Sequence, residues 1–103
     1  MPALRFYYSD TIEDFLRKPT NEIVGNLALA HAHDINQKTS MSWVEEINIL
    51  KSALANFSGR GSVYFEYNIP RMGRRVDVVA LIDGIVLVME FKTSEQKFTE
   101  VLK

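Results

Sequence analysis

RVDVVALIDGIVLVMEFK, residues 75–92, is the stretch from which the rest of this chain is read. Two runs rich in Val, Ile and Leu flank a single Asp83-Gly84. An Asp-Gly between strand-forming runs is the strongest short-range hairpin signal, because a type I′ turn needs positive φ at both central residues. A two-residue loop sets the register, so Ile82 faces Ile85, Val79 faces Val88, Asp77 faces Glu90 and Arg75 faces Lys92. Each strand then carries one carboxylate in otherwise apolar sequence, and the two are cross-strand neighbours on a face expected to be buried. Opposed β-carbons lie roughly 5 Å apart, and two like charges at that separation repel by about 3 kcal/mol at an effective dielectric near 20. A shared proton, a neighbouring cation or a metal is expected to offset that cost. Lys92 stands two residues beyond Glu90 on the same face.

Working outward, the chain has 103 residues, 47% hydrophobic and 24% charged, which fits one small domain with a single core. It has no cysteine, which excludes disulfides and thiolate metal sites. A net charge of -1 gives no global attraction to nucleic acid, although Arg60, Arg71, Arg74 and Arg75 fall within sixteen residues. The N-terminus has no basic start followed by an apolar run, and no apolar stretch approaches a membrane span. These features predict a cytoplasmic protein without a membrane partner.

Ahead of residue 61 the signals are helical. Asp10 with Glu13 reads as a capping box opening "TIEDFLRK", which Pro19 closes, and Thr20 caps a second helix through "NEIVGNLALAHAH". Ser42 with Glu45 reads as a capping box for a third helix, whose apolar positions Trp43, Ile47, Leu50, Leu54 and Phe57 recur at helical spacing before Ser58-Gly59. From Gly61 the period becomes two. Val63, Phe65, Tyr67 and Ile69 share one face, Tyr64 and Glu66 the other, and Pro70 ends the strand before the turn "RMGR". Beyond the hairpin, Thr93 with Gln96 opens a helix with Phe98, Val101 and Leu102 as its stripe. The sequence ends inside that helix and is expected to be a piece of a longer protein.

The third helix supplies one more acid. At 100° per residue, Glu46 falls roughly 60° from the centre of the apolar stripe and Glu45 falls on the far side, so Glu46 is the acid able to reach over the sheet. The bland reading is a carboxylate snorkelling at the stripe's edge.

Asp77, thirteen residues before Glu90-Phe91-Lys92, with a Glu46-bearing helix upstream and a helix starting directly after, resembles the PD-(D/E)XK nuclease superfamily. The stretch from Trp43 through "EYNIPRMGRRVDVV" to "VMEFK" is similar to N-terminal domains of bacterial proteins that join such a restriction-endonuclease-like module to a P-loop helicase. The lead-in "IEDFLRKPTNEIVGNLALAHAH" also looks like that group. The resemblance implies that Asp77, Glu90 and Glu46 are metal ligands and that Lys92 positions the attacking water or stabilises developing charge. It also implies a helicase domain in the same full-length chain. Val76 stands where the signature has proline, and the last core strand is missing, which ties activity to the longer protein.

The chemistry of the residues agrees. Carboxylate oxygens without His or Cys favour Mg²⁺ or Mn²⁺, hard cations that lower the pKa of water and neutralise charge on a phosphodiester. Arg71, Arg74 and Arg75, the three arginines of "RMGRR", suit bidentate phosphate contacts, the plainer reading being a solvated turn. His31 and His33, two apart on a helix, point to different faces and are read as helix-end residues. "SGRGS" lacks the spacing and the Lys of a P-loop, so ATP use is not encoded.

The expectation is therefore an α+β chain. A helical lead-in over 1–39 precedes a half-core over 40–103, made of a helix, a three-stranded antiparallel meander and the start of a further helix. Its function would be metal-dependent cleavage of nucleic acid, with DNA placed ahead of RNA. The competing readings are a non-catalytic nucleic-acid-binding or interaction module, and a folding-only domain whose acids pair with Arg75 and Lys92. An unpaired sheet edge adds the expectation of homo-oligomers.

Overall fold

A computed structural model describes residues 5–31 and 40–91. The elements run β1 (Tyr8–Thr11), α1 (Ile12–Arg17), α2 (Thr20–His31), α3 (Ser40–Ala53), β2 (Gly61–Ile69), β3 (Arg74–Ile82) and β4 (Ile85–Met89), with 3₁₀ turns at Ala55–Phe57 and Pro70–Met72. The sheet is antiparallel in the order β1-β2-β3-β4. The fold is thus α+β as the sequence suggests, but with four strands rather than three. His33, Lys92 and the helix expected from Thr93 lie outside the described residues.

The added strand displaces a predicted cap. Tyr8–Thr11 pairs with Ser62–Phe65, reinforced by Tyr7 N donating to Phe65 O at 2.9 Å. Helix α1 is capped by Thr11, in extended backbone, whose Oγ1 accepts from Asp14 N at 3.1 Å. Asp10 belongs to β1 instead. Its carboxylate accepts from the Tyr8 hydroxyl and from Lys18 Nζ, both at 2.7 Å. Burial raises the Tyr8 phenol's pKa further than its bond to Asp10 does.

Helix α3 begins at Ser40, so Ser42 and Glu45 lie within it and do not form the expected box. Its apolar stripe holds through Leu50, but the helix ends at Ala53, so Leu54 follows it and the half-buried Phe57 lies in the 3₁₀ turn rather than on the helix. Trp43, Ile47, Leu50 and Leu54 are buried with Ile12, Phe15, Ile23 and Leu27 against Val63, Phe65, Val78, Ala80 and Ile82 on one face of the sheet. Each fully buried side chain of this kind is worth about 1.5–3 kcal/mol, so this layer dominates stability. Lys51 fastens the helices together: its Nζ donates to Phe15 O at 2.6 Å, Leu16 O at 3.2 Å and Lys18 O at 2.6 Å, satisfying carbonyls that the end of α1 leaves open. Burial lowers its pKa.

Strands β2 and β3 pair along their length from Gly61↔Ile82 to Ile69↔Arg74, turning through Pro70–Met72 and a left-handed Gly73. The β3–β4 hairpin has the predicted register, with Ile82↔Ile85 and Val79↔Val88 around Asp83 at φ 53° and Gly84 at φ 82°. Arg60 forms an ion pair with Asp83, and Asp83 N donates to Arg60 O at 3.1 Å, tying the turn to the start of β2. No helix among the described residues is long and apolar enough to cross a membrane.

Candidate functional site

Three acids belong to the meander: Glu66 in β2, Asp77 in β3 and Glu90 just past the end of β4. The pairs Phe65↔Val78 and Tyr67↔Val76 bracket Glu66 and Asp77, while the β3–β4 ladder stops at Val78↔Met89, one step short of Asp77 and Glu90. Their side chains take different directions.

Glu66 is the residue that sequence reasoning missed. Strict alternation sends it to the face away from the helices, yet its backbone has φ 55° and its carboxylate is buried, accepting from Trp43 Nε1 at 3.3 Å. A left-handed residue within a strand shifts the alternation that follows. Tyr67, expected on the core face with Phe65, accordingly sets its ring edge-on to Tyr64, at 5.9 Å between centroids. Phe6 adds a further edge contact to Tyr64 at 5.4 Å. The available signal was the same one that singles out Asp77: an acid inside a strand-forming run.

Asp77 is half-buried, and its Oδ2 accepts from Phe91 N at 2.7 Å. In a ladder continued past Val78↔Met89 that amide would face the carbonyl of Val76, because hydrogen-bonded pairs alternate along antiparallel strands. The carboxylate takes the amide, and the ladder ends at Met89. Glu90 lies beyond the strand and pairs with Arg74, their side chains being 46% and 48% exposed. The two acids are therefore not a buried pair. Solvent, an amide donor and a guanidinium relieve the expected repulsion between them.

Glu46 is 1% exposed while Glu45 is exposed, which fits the helical phase and removes the snorkelling reading for Glu46. It lies one turn along α3 from Trp43, the residue that contacts Glu66. Of the candidate phosphate-binding arginines, Arg71 is exposed and Arg74 holds Glu90. Arg75 is half-buried: its Nη1 donates to Glu66 O at 2.8 Å and its guanidinium lies 4.5 Å from the Tyr7 ring centroid. It supports the left-handed backbone at Glu66 within β2, which leaves less of its fork for a phosphate.

The donors are right in kind for a hard divalent cation, being carboxylate oxygens. They are not gathered in number: no group of three or more His, Cys, Asp or Glu among the described residues is arranged to hold a metal ion. Comparison with protein-family models, with curated proteins and with solved structures finds no match.

Proposed function

We propose that this chain is the nuclease-like part of a longer, helicase-linked cytoplasmic protein that hydrolyses phosphodiester bonds of nucleic acid with Mg²⁺ or Mn²⁺. The observation behind the reading is the β3–β4 hairpin, which brings Asp77 and Glu90 to the end of the ladder, just past Val78↔Met89; Glu46 is buried on α3, which packs on the face to which Val78 and Ala80 point rather than Asp77. The arrangement of a helix followed by an antiparallel meander also fits a truncated restriction-endonuclease-like core. Glu90's partnership with Arg74 is weak opposition, since an exposed ion pair is worth about 0–1 kcal/mol.

A second reading, a non-catalytic nucleic-acid-binding or interaction module, is favoured by the same ion pair and by Arg75's role within the fold. The deciding experiment incubates the full-length protein with end-labelled single- and double-stranded DNA and RNA in Mg²⁺ or Mn²⁺. Cleavage is expected, with Asp77→Ala, Glu90→Ala and Lys92→Ala each abolishing it and Glu46→Ala reducing it less. Retention of the nucleic acid without cleavage would establish the binding module. Normal cutting by Lys92→Ala would remove the assigned chemistry.

A further inference from the structure

Strand β4 ends the sheet among the described residues, with β3 on one side only. Among the described residues it is also the longest run of exposed large apolar side chains: Ile85 and Val86 are 60% exposed, Leu87 41% and Val88 54%. Successive strand residues point to opposite faces, so both faces of this edge are apolar and open. Exposed contiguous apolar surface of this kind is unusual on a monomer and marks a docking site.

The backbone is equally available. Ile82↔Ile85 closes a two-residue turn, so Ile85, Leu87 and Met89 direct their N–H and C=O groups to β3, while Val86 and Val88 direct theirs to the open side. Edge strands are normally blunted by Lys, Pro, a bulge or very short length. Ile85–Met89 has no charge, no proline and an unbroken ladder. The opposite edge is defended. Strand β1 is four residues of mostly polar sequence that run directly into α1.

We propose that β4 is a homodimerisation edge, pairing antiparallel with β4 of a second copy about a two-fold axis at Leu87 and continuing the sheet across both chains. The strand is its own complement. In this register Leu87 meets Leu87, Val86 meets Val88 through the outward backbone groups, and Ile85 meets Met89, so all five residues are matched. The flanking acids are accommodated as well: Glu90 falls opposite Gly84 and Asp83 opposite Phe91 of the second copy, and no like charges oppose. Sliding the axis to Val86 sets Asp83 against Met89, and sliding it to Val88 sets Glu90 against Val86. Each shift leaves part of the strand unmatched. The apolar area available is smaller than the roughly 800 Å² per partner of a standard interface, so the dimer depends on concentration.

The test is sedimentation velocity on the 103-residue chain from micromolar to millimolar concentration, with amide exchange measured at both ends of the range. The dimer fraction rises with concentration, and the amides of Val86 and Val88 slow with it while those of Ile85 and Leu87 do not change. Leu87→Lys and Leu87→Glu each weaken association by at least about tenfold, by placing like charges across the axis. An equimolar mixture of the two variants regains it as a heterodimer. A monomer at millimolar concentration overturns the proposal, as does association that survives Leu87→Lys unchanged. Protection of Val86 and Val88 at every concentration also overturns it, because the edge is then covered by the chain itself.

Discussion

Asp10 shows how a residue's neighbours decide its use. Its spacing to Glu13 fits a helix cap, but Thr11 performs that task and Asp10 anchors Tyr8 and Lys18. Burial would raise its carboxyl pKa, yet hydrogen bonds from Lys18 and Tyr8 outweigh that and hold it below the usual value. A depressed carboxyl stabilises the fold above the unfolded value, near 3.9, and loses that contribution as pH falls through the folded value. Asp10→Asn is expected to cost about 1 kcal/mol at pH 7, a low figure because Lys18 is partly exposed and screened. In urea melts, the gap between variant and wild type should close as pH drops below about 4. A gap independent of pH would mean that the charge contributes nothing. The helical phase placed Glu46 inside and Glu45 outside from residue types alone. Glu66 was not legible, because its direction depends on one left-handed backbone angle that alternation does not anticipate.

At the level of elements, β3 and β4 were legible because an Asp-Gly turn encodes pairing locally, down to Ile82↔Ile85. Strand β1 was not. Its polar four residues form a strand only by pairing with β2, a contact distant in sequence. Gly61 tests how closely the strands approach. A Cβ there would lie 1.7 Å from the Leu81 carbonyl oxygen, which is backbone and cannot swing aside. Gly61→Ala is expected to destabilise by about 1–3 kcal/mol in chemical denaturation. Gly84→Ala, at φ 82° with open space around it, should cost about 1 kcal/mol for strain alone. Equal costs for the two would contradict steric closeness at Gly61.

For the molecule as a whole, helices packed on one sheet face could be read from the stripe on α3 and the two-residue period after Gly61. The end of the meander could not, since the Asp77 side chain interrupts a ladder that the residue pattern would continue. Local stability should follow the layers. At low protein concentration amide exchange is expected to be slowest in β2 and β3, which are paired on both sides, and markedly faster in β4. Protection of β4 equal to β3 under dilution would show that this gradient is absent. The chain's single tryptophan sits at the seam between these layers, 2% exposed, with its indole N–H on the Glu66 carboxylate. Excited at the red edge of indole absorption, where its four tyrosines hardly absorb, the unlabelled protein therefore emits from one place. Its wavelength is an optical gauge of whether helix α3 is seated on the sheet.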